Sequence, residues 1–343
     1  MKRLFLILIS LAVAAAPMAT QAAPLKVVTT LPAYASIAKA VGGDRVTVDY
    51  IARGDQDPHF VKPKPSYALK LQDADLYVTT GLDLELWGPT LVDKSGNSKI
   101  RDGQIGYVAV SRGVHMLDIP SSASRAAGDV HIYGNPHIHT SPINARIIAA
   151  NIVAGLKRVD PGGASTYDAN LAAFNQKISN SLYGPELVKL LGADTLDKLA
   201  TQQRLIPFLQ AQKAPDGAPL ISKLGGWLGE GMVFRGKKIV SYHKNWIYFV
   251  DLFGLHIVDY VEAKPGIPPS ARHVHELINE MKQQNVKVLV AASYFDPKKP
   301  NLIAQRTGCK AVIVPMGLNS TGPNAYFKLV SDWVDQLKAA FTS

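Results

Sequence analysis

The sequence has 343 residues, of which 37 are Lys or Arg and 27 are Asp or Glu, for a formal charge of +10. Nearly half of the residues are hydrophobic, enough for a substantial core, and the length suits two compact domains. The basic residues are scattered, with Lys237-Lys238 and Lys298-Lys299 the densest pairs. No aromatic-interleaved basic stripe appears, which argues against nucleic acid as a partner. The single cysteine, Cys309, excludes an internal disulfide.

The chain opens on Lys2-Arg3, an apolar run from Leu4 to Ala16, and small residues around Ala22-Ala23. That is the pattern of a secretory signal peptide over residues 1–22, with cleavage expected after Ala22 or Ala23. The run is too short for a spanning helix, which needs about 20 apolar residues. No cysteine stands where a lipid-anchored mature N-terminus would need one. The expectation is therefore a free, unlipidated protein of the periplasm.

Beyond the leader, Leu25–Thr30 reads as a strand, residues 33–41 as a helix stopped by Gly42-Gly43, and Val46–Ile51 as a second strand. A Pro-rich loop, a helix over Ser66–Asp73 and a strand over Leu76–Thr80 follow. Strands alternating with helices at this spacing predict βαβ units and a largely parallel sheet. The alternation stops at Asn135–Pro142. Helices are predicted over Ile143–Val159 and Ala164–Leu182, the second with Tyr167, Leu171, Phe174, Ile178 and Leu182 on one face. Residues 185–235 read as helical and loop-rich. Alternation then resumes with strands at Lys238–Tyr242, Ile257–Val261, Val286–Ala292 and Ala311–Val314, and helices at Trp246–Phe253, Ser270–Gln284 and Pro300–Thr307. An amphipathic segment, Tyr326–Phe341, closes the chain. The predicted fold is α/β: two Rossmann-like lobes, residues 24–160 and 185–343, joined by a long helix within 161–184.

Three of the nine histidines stand out by their setting. His59 lies in Asp57-Pro58-His59, in a loop after a predicted strand. His137 lies in Asn135-Pro136-His137, just before a helix. His243 ends a predicted strand. Ligand sites of α/β sheets gather where loops leave the carboxyl ends of strands, and imidazole is a strong ligand for zinc and its neighbours. His273 and His275 are two apart on a predicted helix and share no face; they read as structural, as do His115 and His256. The four tryptophans read as packing residues.

With these segments in view, the chain resembles the ZnuA/TroA-type periplasmic zinc- and manganese-binding proteins of ABC importers. Gly54–His59 with Pro63, Pro65 and Ser66, followed by Leu71–Leu76, is similar to the family's first ligand segment. Asn135–His137 with Ser141-Pro142 and Asn144-Ala145 is similar to the second. Ser241–Trp246 with Tyr248-Phe249 and Phe253–Leu255 is similar to the third. The likeness runs over nearly the whole mature chain. It implies that His59, His137 and His243 bind a divalent metal in a cleft between two lobes, and that the helix at Ala164–Leu182 limits their hinge motion. It also implies a membrane permease as partner, and a monomer is expected.

The departures matter too. The family's fourth ligand is commonly a carboxylate, and the positions that align with it are Ala292 and Val314, neither of which can ligate. The long His-rich acidic loop of many zinc members is reduced to His131, His137 and His139. Three candidates stand for the fourth position: Asp296, which follows the relevant strand; His139, should a turn at Pro136 or Pro142 bring it round; and water. Three imidazoles without a carboxylate favour Zn²⁺ over Mn²⁺. Two other functions compete. A zinc hydrolase would use three protein ligands and an open position, but none of the three motifs sets a Glu beside its His, as a general base would require. An exported adhesin would use the outer surface instead.

Overall fold

The structure, a computed structural model, describes residues 23–121, 131–262, 264 and 266–342. The predicted signal peptide lies outside the described residues. Among those that are described, no helix is long and apolar enough to cross a membrane.

Eight strands form two four-stranded parallel sheets. The first holds β1 (Leu25–Thr29), β2 (Val46–Tyr50), β3 (Leu76–Thr79) and β4 (Tyr107–Ala109) in the order β2-β1-β3-β4. The second holds β5 (Lys238–Ser241), β6 (His256–Tyr260), β7 (Val288–Ala292) and β8 (Lys310–Val314) in the order β6-β5-β7-β8. The two lobes thus share one strand order although no sequence repeat announces it. Every residue of β3 and β7 is buried, which is why these strands read as continuous apolar runs covered on both faces. β4 escaped the sequence because it has only three residues, too few for a period to show.

Thirteen α-helices are described, α1 (Pro32–Gly42), α2 (Pro65–Gln72), α3 (Gly88–Ser95), α4 (Pro142–Val159), α5 (Ala164–Tyr183), α6 (Pro185–Leu191), α7 (Ala193–Thr201), α8 (Leu205–Ala211), α9 (Gly226–Gly231), α10 (Ile247–Phe253), α11 (Ala271–Gln283), α12 (Lys298–Thr307) and α13 (Ala325–Thr342). The 20-residue α5, about 30 Å long at 1.5 Å per residue, is the predicted joining helix. Its first half is tied to the first lobe. Arg45 Nη2 and Tyr167 OH both donate to Asp160 Oδ2, at 2.7 and 2.6 Å, and Asn170 Nδ2 donates to the carbonyl of Val41. Its second half is tied to the other lobe. Phe174 meets Phe327 edge to face at 5.5 Å, and Lys177 Nζ donates to Asn324 Oδ1.

The stretch 185–235 folds as α6 to α9, and it is not confined to the second lobe. Arg146 of α4 pairs with Asp194 and Asp197 of α7, and Tyr183 donates to Asp197 at 2.7 Å. α13 also reaches across: Tyr326 N donates to Ser36 Oγ of α1, and Tyr326 OH to the carbonyl of His139. The lobes are closed on one another.

Candidate metal centre

The site begins with two short Asx-Pro-His segments that fold the same way. Proline forces the residue before it into extended backbone, and Asp57 has φ −63° and ψ 117°. Its carboxylate then turns back onto the chain. Asp57 Oδ1 accepts from His59 N at 3.0 Å and from the His59 ring Nδ1 at 2.7 Å. Asn135 Oδ1 does the same to His137, with 3.0 Å to the backbone N and 3.0 Å to Nδ1. In each segment one oxygen fixes both the turn and the ring. Trp87 Nε1 donates to the carbonyl of Pro58 at 2.7 Å, so this buried indole anchors the His59 loop to the first lobe.

Asn135 does something a carboxylate could not. Its Nδ2 donates to the carbonyl of Lys244 at 2.6 Å, and its own carbonyl accepts from Tyr248 OH at 2.7 Å. The residue that orients His137 thereby grips the second lobe beside His243. His243 leaves the end of β5 and its Nδ1 binds Glu262 Oε2 at 2.6 Å, the latter at the end of neighbouring β6.

These supports turn three imidazoles on one point. The ligating atoms of His59, His137 and His243 lie within 4.8 Å of one another, with ring centroids 5.1 to 5.7 Å apart. Each Nδ1 faces an oxygen acceptor and so carries the proton, leaving Nε2 with a free lone pair. The Nε2 atoms of His137 and His243 are buried and have no hydrogen-bond partner. Unsatisfied buried nitrogens are costly, and these two, aimed together with His59 Nε2, fit a bound cation. A ring nitrogen held by a carboxylate or carbonyl on its far side is the usual outer support of a metal-ligating histidine. Burial, reinforced by the other histidines, holds His137 well below the ordinary imidazole pKa. Burial also lowers His243, against the opposing pull of Glu262. Both are therefore neutral, as ligation requires.

The candidates for a fourth ligand fall elsewhere. Asp296 is exposed, and its Oδ1 accepts from Lys298 N at the start of α12. Asp296 is not among the side chains whose ligating atoms gather with the three histidines. His139 is buried and stands edge-on to Tyr34, with its Nδ1 unpartnered, and it is not among the side chains whose ligating atoms gather with the other three. The extended alternation predicted around His137 is replaced by a single 3₁₀ turn over Ile138–Thr140, and that turn sends His139 into the seam between the lobes. Sequence reasoning missed His131 and Asp83. His131 stacks on His59 with centroids 5.2 Å apart, and Asp83 Oδ1 holds its Nδ1 at 2.8 Å. The only available signal was one more histidine six residues before His137.

Comparison with known proteins gives the family and the fold. The model of the family described as the periplasmic zinc-uptake complex component A, ZnuA, matches residues 27–181 and 223–340. The chain belongs to this family. The unmatched interval contains α6 to α8, within the stretch that reads as helical and loop-rich.

Among curated relatives, the iron-binding protein YfeA of Yersinia pestis is 26% identical over 322 residues, covering 92% of this chain and 86% of YfeA. The manganese substrate-binding lipoprotein PsaA of Streptococcus anginosus is 26% identical over 84% of this chain and 79% of its own. The metal substrate-binding lipoprotein ScbA of Streptococcus cristatus is 32% identical, but the match spans only 50% of ScbA and 47% of this chain. Two of these relatives are named lipoproteins, which runs against an unlipidated form as a general expectation for the family.

Solved structures share the fold. A zinc-bound ZnuA deletion mutant superposes with a TM-score of 0.64 at 20% identity, covering 93% of this chain and 99% of that one. A laminin-binding adhesin, Lmb of Streptococcus agalactiae, superposes equally well at 21% identity, over 93% and 100% of the two chains.

Proposed function

We propose that this protein captures a divalent transition metal, zinc in preference to manganese, between its two lobes in the periplasm and delivers it as a monomer to the permease of an ABC importer. The observation that carries the reading is the set of imidazoles of His59, His137 and His243, converging on one point from both lobes. Membership of a periplasmic uptake family supports transport rather than catalysis. The relatives are named for iron and manganese, so the metal must be argued from the donors here. Those donors are imidazole nitrogens, which suit zinc, copper and nickel, whereas manganese prefers oxygen. The carboxylates Asp57 and Glu262 are engaged as outer partners of the rings.

Transport needs release as well as capture. His59 and His137 belong to the first lobe and His243 to the second. Separating the lobes removes His243 from the ion. Opening by the permease thus converts a tight site into a weak one. Competition dialysis against equal zinc and manganese tests the preference. Zinc should fill the protein at one ion per chain, and a manganese-filled protein would contradict the reading.

A further inference from the structure

The contact between His131 and His59 is the least ordinary feature of the site. Their Nε2 atoms are 3.1 Å apart. His59 Nδ1 faces Asp57 Oδ1 and His131 Nδ1 faces Asp83 Oδ1, so in the neutral rings both protons sit on the Nδ1 side. Two lone pairs then face each other across 3.1 Å unless one ring also carries a second proton. The approach is relieved either by such a shared proton or by a metal cation bound to both nitrogens.

The separation is informative. With zinc–nitrogen bonds of about 2.0–2.1 Å in a tetrahedron, two ligating nitrogens stand about 3.3 Å apart. The His131–His59 distance is close to that edge. His131 is also built in as firmly as the other histidines. Asp83 holds its ring through Oδ1 and accepts from the following backbone N, of Ile132, through Oδ2 at 3.2 Å. The His131 and Asp83 side chains are only 10% and 17% exposed. The brace repeats the pattern at Asp57 and Asn135, in which one side chain fixes a ring and a nearby backbone amide.

We propose that His131, whose Nε2 stands beside His59 but not within 4.8 Å of all three other ligating atoms, turns in as the fourth ligand and closes an all-imidazole tetrahedral site with His59, His137 and His243. The inference rests on the proposed metal-binding function. It accounts for the absence of a ligating carboxylate at Ala292 and Val314. Negative charge is instead supplied one shell out, by Asp57, Asp83 and Glu262, each bound to a ligand's Nδ1. It also makes the lobes unequal: three ligands stay with the first lobe and one with the second.

X-ray absorption of the zinc-loaded protein, combined with calorimetry, tests this. Wild type should show four imidazoles at about 2.0 Å. His131→Ala and the bulkier His131→Gln should each show three imidazoles and an oxygen, with one zinc still bound. Affinity in both should fall by about a hundredfold, the upper end of what loss of even an outer-shell partner costs. Three imidazoles in wild type, or unchanged affinity and histidine count in both variants, would overturn the assignment of His131. A wild type that takes up no zinc would instead remove the proposed function and this inference with it.

Discussion

Each histidine of the candidate site depends on a specific neighbour, and burial governs how the site responds to acid. His137, His243 and His139 are all buried, and burial lowers their pKa values, that of His139 to about 4. In the unfolded chain each returns to about 6.5. Between those values the unfolded state binds more protons than the folded one, so stability falls as the pH drops below about 6.5. The metal-free protein should therefore show a lower urea midpoint at pH 5.5 than at pH 7.5. Replacing His139 by Gln, which keeps size and polarity, should remove part of that difference. A midpoint independent of pH over this range would contradict the neutral, buried state of these rings. The three principal histidines were legible because Asx-Pro-His and strand-end settings are local patterns. Asp83 and Glu262 were not. They lie 48 and 19 residues from the rings they hold, and only the folding of separate strand ends brings them close. His139 misled for the opposite reason, since one 3₁₀ turn was enough to redirect it.

At the level of elements, the loops that leave the strands decide whether the lobes can close. The loop after β2 meets the segment after β8, where Gly54 N donates to Asn319 Oδ1 at 2.8 Å. A Cβ on Gly54 would stand 1.9 Å from the carbonyl oxygen of Gly317. Neither backbone can yield without moving a lobe, so glycine is required here for close approach. Gly54→Ala should prop the cleft open while leaving each sheet intact. Apparent zinc affinity falls with the fraction of closed molecules, by about tenfold if one molecule in ten still closes. Small-angle scattering of the zinc-bound variant should show a larger radius of gyration than wild type. Equal affinity and equal radius would show that this contact does not limit closure. The alternation of strands and helices was readable because parallel strands buried on both faces leave apolar runs. The common strand order of the two sheets was not, because pairing order is set by packing between distant segments.

For the whole molecule, α5 connects two similar lobes whose facing loops carry the histidines. Its two halves are bonded to different lobes, through Asp160 and Tyr167 at one end and Phe174 and Lys177 at the other. The helices at 185–235 add a second bridge, because α7 grips Arg146 of α4. Such ties favour a small rotation about α5 over free separation of the lobes. The joining helix was visible from its apolar stripe, whereas the bridge through α7 was not, since Arg146 and Asp197 carry no local sign of their pairing. The central claim is that one divalent metal is bound jointly by both lobes through His59, His137 and His243. Calorimetric titration of zinc into wild type and the three single Ala variants tests it most directly. One zinc should bind tightly to wild type, and each variant should lose affinity by at least about a hundredfold, more than loss of an outer-shell partner alone, while melting as a folded protein. Wild-type affinity retained in His243→Ala would contradict it, because the ion would then be held by one lobe alone.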